Sequence, residues 1–560
     1  MKTGKLRQTL SVLAVAALLG HTSATSLPTV SLEERSALLT ANSAESAMIT
    51  VPIVGDEYYA YDIVVTDADG KEISVLLDYM QPHLWLIDAD KVLNCLVAYS
   101  YYSSYNYLNL PQTVTYSSAA YDLTECYIDG AYMPMTTTTE VNGTHTQTIT
   151  RRAADPSTSA YNITYPYDFY GSGNFVNGNF LLDTISNGTV ELGSVQYLLA
   201  NDTNAYQGAF GVAGPSWSGG VLDTLKTAGR IAGNGYSAYF FTEDSSMSKG
   251  GYLLLGSVDK ALYTGDFYAF PSIPHEGWGD ALGIYPIVQL DSVELKNVET
   301  SELATLYDSG SVGVIMDPTV IYLYLPREMI INLALQTNAY YNPDFDAWIV
   351  NCSAVSNIDA EINFNFGPLT IDVPLLAVVE STAWDNLTFP DGQKACVFNI
   401  LPLESLGYAA FGASFLQNLY LAMDNEGGKV GLANANTDFN TVSGTRTTSS
   451  SNTTTVGHIS SGSIPFATNA LVSSDLTFTF GTYNFLVLYL DPGLLTNVVI
   501  SSGHVYISHT THTLGLVSAS AADARSTVGG AGSLNVSVKR GSPVLYVVLL
   551  LGGIMGVLFI

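Results

Sequence analysis

Ser74–Leu86 reads SVLLDYMQPHLWL, and Gly313–Pro326 reads GVIMDPTVIYLYLP. Each stretch places one aspartate, Asp78 or Asp317, at the end of a short run of Val, Ile and Leu, the pattern of a buried strand that delivers a carboxylate to a turn. Two such units predict two lobes that meet at a carboxylate pair. Two close carboxyl groups cannot both ionise, so they hold one proton between them. The charged member then takes a proton from water while the neutral one donates to a carbonyl. Such a pair titrates as a unit.

The same two stretches resemble the pepsin-like aspartic proteases and, within that family, the fungal surface enzymes called yapsins. The family's first motif is a hydrophobic run, Asp-Thr-Gly-Ser, and Leu-Trp a few residues on. Its second is Asp-Ser/Thr-Gly with Tyr-Leu-Pro following. Leu84-Trp85 stands after Asp78, and Tyr324-Leu325-Pro326 after Asp317, at the family spacings. Further likenesses lie in QGAFGVAG (Gln207–Gly214), GGYLLLGSVDKALYTGDF (Gly250–Phe267) and AAFGASFLQNLYLAMDNEGGKVGLA (Ala409–Ala433), so the resemblance covers about residues 51–437. It implies an all-β, bilobal fold with a cleft between two β-rich lobes, Asp78 and Asp317 as the catalytic pair, and a peptide or protein ligand in the cleft.

The frames match the family and the fillings depart from it. Tyr79-Met80 replaces Thr-Gly after the first aspartate, and Pro318-Thr319 follows the second. The family glycines let backbone approach the carboxylates and supply amide donors, roles a side chain is expected to obstruct. Tyr79 and Pro318 cannot reproduce the hydroxyl hydrogen bonds that tie the family's two loops together, and Pro318 has no amide hydrogen. Misplacement by about an ångström costs on the order of a hundredfold in rate, so the expectation is a pseudo-protease.

Asp168–Ile185, DFYGSGNFVNGNFLLDTI, resembles the family's flap hairpin, with Tyr170 and Gly171 as the flap pair and Ser172-Gly173 in its turn. Before it lies a polar insertion, residues 96–162, containing the dibasic pair Arg151-Arg152; yapsins carry a comparable cleaved insertion at this place. His83, within the first motif, reads either as a residue that tunes Asp78 or as a solvated histidine.

The chain opens with a basic n-region (Lys2, Lys5, Arg7), an apolar run and a small-residue exit, the form of a signal peptide over residues 1–25. Residues 26–50 form a short prosegment-like region whose one basic residue is Arg35. The apolar run Pro543–Ile560, behind Lys539-Arg540 and a cluster of small residues, has the layout of a GPI-attachment signal (531–560), with Gly530 as the attachment residue. The expected location is the outer face of the plasma membrane or the cell wall. N-glycosylation sequons stand at Asn142, Asn162, Asn187, Asn201, Asn351, Asn386, Asn452 and Asn535. The four cysteines suggest two disulfides in an exported chain; the resemblance implies Cys95 with Cys126 and Cys352 with Cys396.

Between the ends, the expected division is an N-terminal lobe (51–262), a C-terminal lobe (263–437) and a Ser/Thr-rich tail (438–530) with an apolar segment of no assigned role. A net charge of −30 argues against nucleic acid as a partner. Zinc, P-loop and nucleophile-elbow motifs are missing from the sequence, so no metal and no cofactor is expected. His504, His509 and His512 are spaced polar histidines without a completing cluster. Asp308-Ser309-Gly310-Ser311 spells the family motif literally but lacks the strand and the Tyr-Leu-Pro spacing, and reads as a surface turn. Three functions remain: a monomeric, anchored pseudo-protease that binds peptides, glycans or a wall partner through the cleft; an active, atypical endopeptidase; and a structural cell-wall glycoprotein.

Overall fold

The computed structural model describes residues 48–55, 61–88, 131–132, 136–141, 144–149, 160–166, 169–185, 188–203, 205, 207–214, 219–242, 249–276, 283–342, 347–380, 393–437, 455–471 and 476–481. Most of these residues lie in strands, as expected. The first lobe begins with β1 (Ile49–Gly55), β2 (Tyr61–Asp67), β3 (Glu72–Asp78) and β4 (Leu84–Asp88). In β3 the alternate residues Ile73, Val75 and Leu77 are buried on one face, the period of two that a strand imposes. The β2–β3 turn carries the sequence's Asp69-Gly70 signal: Gly70 has φ +80°, and the amides of Asp69 and Lys71 donate to Asp67 Oδ1 at 2.8 and 2.9 Å.

The lobe continues with β5 (Ala160–Thr164), β6 (Tyr170–Thr184), β7 (Gly188–Thr203), β8 (Ala209–Gly211) and helix α1 (Val221–Thr227). Strand β8 runs between β3 and β4, parallel to the first (Gly211 opposite Asp78) and antiparallel to the second (Phe210 opposite Leu84).

The remaining elements used below are β9 (Gly235–Thr242), β10 (Lys249–Leu255), β11 (Tyr263–Pro271), β12 (His275–Glu276), β13 (Ile287–Leu290), β14 (Val312–Met316), β15 (Leu323–Leu325), helix α2 (Arg327–Thr337), β16 (Ala410–Phe411), β17 (Leu419–Asp424), β18 (Lys429–Ala435) and β19 (Phe478–Thr479). Helix α2 starts after Pro326, where a missing N–H costs nothing, and stops at Asn338 in the left-handed region. Strand β16 repeats the placement of β8: it is parallel to β14 and antiparallel to β15. The chain thus builds the same three-strand unit twice, with Asp78 the last residue of β3 and Asp317 the first residue after β14.

One sheet, with strands in the order β11-β18-β17-β9-β10-β1, is built from both halves of the chain. The sequence boundary at 262/263 therefore divides the chain but not this sheet. Two other expected boundaries shift slightly. Strand β1 starts at Ile49, inside the prosegment-like stretch, and β5 starts at Ala160, inside the 96–162 insertion.

The tail departs further from expectation. After residue 437 the chain returns to the core: Val456–His458 pairs with Ser257–Asp259, Thr468–Asn469 with β11, and β19 with β12. Ile459, Ile464, Phe478 and Phe480 are buried there, which removes apolar surface that a solvated stalk would have exposed. The Cys352–Cys396 disulfide forms as the resemblance implies; Cys95 and Cys126 lie outside the described residues.

Candidate active site

The two repeated units bring Asp78 and Asp317 together, both fully buried and close enough for the charge of Asp317 to act on Asp78. Asp78 Oδ1 accepts from the Met80 amide at 2.6 Å, and its Oδ2 accepts from the Tyr165 hydroxyl at 2.5 Å. Trp85 Nε1 donates to the same hydroxyl at 3.1 Å, so a chain of donors runs Trp85, Tyr165, Asp78. Asp317 Oδ1 accepts from Thr319 twice, from its amide at 2.9 Å and its hydroxyl at 2.6 Å. Asp317 Oδ2 is buried and has no hydrogen-bond partner among the described residues.

These contacts correct one expectation. The side chains at Met80 and Thr319 do not abolish amide donation, because the backbone N–H two residues after each aspartate still reaches Oδ1. What is lost is the cross-loop hydroxyl pair. Tyr79 turns its ring into the core against Tyr236, centroids 5.0 Å apart, and neither hydroxyl has a hydrogen-bond partner among the described residues. Pro318 has no hydroxyl to offer.

Burial pushes the Asp78 carboxyl up to about 7; the Tyr165 and Met80 donors pull against that rise, and the Asp317 charge adds to it. Burial also lifts Asp317, to about 6, against the two Thr319 donors. Between those values the pair holds a shared proton, the charge state that acid–base attack by water requires.

The flap assignment also needs correction. Tyr170, Gly171 and Ser172 lie in strand β6, paired with β5 and β7, and not at a turn. The Tyr170 hydroxyl donates to Asp202 Oδ1 at 3.1 Å, away from the carboxylate pair, and Ser172 Oγ donates to Asn162 Oδ1 at 2.7 Å. Strands β5 and β6 are joined instead between Tyr165 and Phe169, where the Tyr165 amide donates to the Phe169 carbonyl at 2.8 Å. Tyr165 thus stands at the tip and meets Asp78. The Tyr170-Gly171 pair drew the sequence assignment; the available signal was Tyr165-Pro166, because proline marks the turn.

His83 is not solvated. It is buried against the edges of Phe175 and Tyr161, and burial lowers its pKa to about 4. Asp308 is exposed in a loop where Gly310 has φ +136° and Ser309 donates to Glu328, the surface turn expected. Of the sequons, Asn162 is exposed on β5 and Asn201 lies in β7. Asn351 is engaged as a helix N-cap, accepting from the Ser353 and Ala354 amides. Asn142, Asn187, Asn386, Asn452, Arg151, Arg152 and Gly530 lie outside the described residues, as do Asn535 and the three tail histidines.

The eukaryotic aspartyl protease family model matches residues 58–435. Aspartic proteinase yapsin-7 of Saccharomyces cerevisiae is 30% identical over 291 residues, 49% of this chain and 48% of that protein. Aspartic proteinase 3 of the same yeast is 27% identical over 315 residues, 51% of this chain and 50% of that protein. The chain thus spans about half the length of these curated relatives. The crystal structure of the aspartic proteinase from Irpex lacteus aligns with TM-score 0.45 and 15% identity, over 70% of this chain and 99% of that one. With more than half its length matched by the family model, and with both aspartates inside the match, the chain belongs to the eukaryotic aspartyl protease family.

Proposed function

We propose that the protein is a pepsin-family peptide-binding protein of the secretory pathway and cell surface whose carboxylate pair is impaired for hydrolysis. The observation that carries this reading is the Tyr165 hydroxyl on Asp78 Oδ2 at 2.5 Å, backed by Trp85. With Asp317 the lower of the two carboxyls, Asp78 is the member that keeps the shared proton, and it must reach the substrate carbonyl to donate it. Here Asp78 has one oxygen on an amide, the other on a tyrosine, and a fully buried side chain. The loss of the hydroxyl tie through Tyr79 and Pro318 supports the same reading. The signal-peptide-like and GPI-signal-like layouts and the sequons read in the sequence, and relatives named as yapsins and as a secreted aspartic protease, support the location.

A second reading, an active endopeptidase of atypical site, is favoured by the raised carboxyls of Asp78 and Asp317. It would use Asp78 and Asp317 to activate water, with Tyr165 rather than Tyr170 over the bound peptide. The two readings separate when secreted protein and its Asp78→Asn, Asp317→Asn double variant are incubated with a diverse peptide mixture from acid to neutral pH, and products are read by mass spectrometry. No cleavage by either, together with saturable binding of a peptide carrying a hydroxyl in place of its central amide, is the expected result. Cleavage by the unaltered protein alone establishes the second reading.

A further inference from the structure

The segment Leu476–Gly481 follows the Ser/Thr-rich stretch, yet its aromatic side chains pack into the apolar cluster that also holds Met80, Trp85 and Tyr165. The Phe478 amide donates to the Pro274 carbonyl at 2.8 Å, the Phe480 amide to Glu276 at 2.9 Å and the Gly481 amide to Gly407 at 3.1 Å, which fixes the register of β19 against β12. Phe480 meets Tyr408 (centroids 5.0 Å), His275 (5.6 Å) and Tyr285 (6.1 Å) edge to face, and Phe478 meets Tyr408 at 5.8 Å. Both phenylalanines are buried.

The partners of these rings lead to the site. Gly313 and Ile315 lie on the face of β14 that continues to Asp317, by the period of two. A Cβ at Gly313 would lie 3.0 Å from the Phe478 ring, so glycine leaves the room that the ring fills. Phe478, Phe480, Ile315 and Tyr408 belong to one continuous apolar cluster with Met80, Trp85 and Tyr165, the residues around Asp78. The strap is also anchored upstream: Ile459 is fully buried, and Gly462 is held by Asp424 and Lys429.

We propose that Leu476–Gly481 is a built-in wall of the inter-lobe cleft, an aromatic strap from the chain's own tail that fills the space beside Gly313, Ile315 and Tyr408 and limits how far a bound peptide extends past the carboxylate pair. This rests on the peptide-binding reading above. It makes Phe478 and Phe480 determinants of ligand length, without contact to the reacting atoms.

The test uses full-length secreted protein and a nested set of peptides: a short core with the central hydroxyl unit, and the same core lengthened at its N-terminal or C-terminal end. Affinity is measured by calorimetry for the unaltered protein and for Phe478→Ala and Phe480→Ala. The unaltered protein is expected to bind one of the lengthened peptides about tenfold more weakly than the core, and each alanine variant to erase most of that difference while binding the core equally well. Should an alanine variant fail to fold by circular dichroism, Phe480→Leu, which keeps the apolar contact and shortens the ring, is expected to reduce the discrimination in the same direction. Equal affinity of the unaltered protein for all lengths, or parallel weakening of every peptide in the variants with a lowered melting temperature, overturns the wall and leaves a structural strap. Absence of binding to every peptide in every protein removes the peptide-binding reading, and the wall with it.

Discussion

Gly211 and Gly412 occupy equivalent points beneath the two aspartates. A Cβ on Gly211 would lie 2.3 Å from the Gln81 carbonyl oxygen and 2.5 Å from that of His83; on Gly412 it would lie 2.4 Å from the carbonyl oxygens of Val320 and Tyr322. Gln81 and Val320 each follow their aspartate by the same interval, as do His83 and Tyr322, so the twofold repeat extends to the backbone contacts under the site. The obstacles are main-chain atoms that cannot rotate away. Gly211→Ala or Gly412→Ala is therefore expected to cost about 1–3 kcal/mol of stability by overpacking, read as a fall in the urea midpoint with the slope unchanged.

The carboxylate pair sets a pH dependence of stability. Both carboxyls titrate higher in the folded chain, about 7 for Asp78 and about 6 for Asp317, than the ordinary value of 3.8. Between about pH 4 and 7 the folded state thus holds protons that the unfolded state has released, and stability falls as pH rises through that window. The Asp78→Asn, Asp317→Asn variant, whose amides carry no titrating proton, is expected to show a flatter profile from pH 4 to 7 than the unaltered protein. A parallel pair of profiles in thermal unfolding would show that the carboxyls are not perturbed in the folded chain.

His83 acts in the opposite sense. Its folded pKa is lowered from 6.5 to about 4 by burial, and neither ring nitrogen has a hydrogen-bond partner among the described residues. Below about pH 6.5 the unfolded state gains a proton that the folded state refuses until about pH 4, so this residue removes stability as pH falls. His83→Leu is expected to be more stable than the unaltered protein at pH 4.5 and to lose that advantage at pH 7.5. The comparison is made by urea unfolding at both values, and equal differences at the two would mean that His83 does not titrate in this window.

The positions of the aspartates were legible because each strand carries its own signal: apolar runs before Asp78 and Asp317, and Leu-Trp or Tyr-Leu-Pro after them. The third strand of each unit was not, since β8 and β16 are short strands whose parallel pairing with β3 and β14 arises from far along the chain. The flap tip was misplaced for a local reason. Tyr170-Gly171 followed by Ser172-Gly173 resembles a flap pair and its turn in sequence, but Gly171 serves packing, with a Cβ there only 3.3 Å from the Trp85 ring. The fate of Tyr79 was hidden as well, because its place depends on Tyr236, which comes from another strand of the shared sheet. The path of the tail was not legible: its apolar segment carried no assigned role, and it is the burial of Ile459, Ile464, Phe478 and Phe480 against distant strands that brings it back to the core.

The Tyr165 hydroxyl offers the sharpest test of the proposed impairment. A ligand hydroxyl seeking Asp78 Oδ2 must displace a 2.5 Å hydrogen bond whose donor is itself held by Trp85. Tyr165→Phe removes the competing donor and leaves the apolar ring in the cluster that includes Met80 and Trp85. A hydrogen bond of this kind contributes about 1–1.5 kcal/mol net, so a peptide with a hydroxyl in place of its central amide is expected to bind the variant about tenfold more tightly. The loss of a donor to the carboxylate also raises the Asp78 pKa, already about 7, so the gain is expected to be greatest where Asp78 is ionised, above neutral pH. Peptide cleavage is not expected to appear, because Tyr79 and Pro318 still lack the hydroxyl tie between the loops. Unchanged or weaker binding by Tyr165→Phe would show that this tyrosine assists ligands instead of excluding them, and would shift the balance to the active-endopeptidase reading.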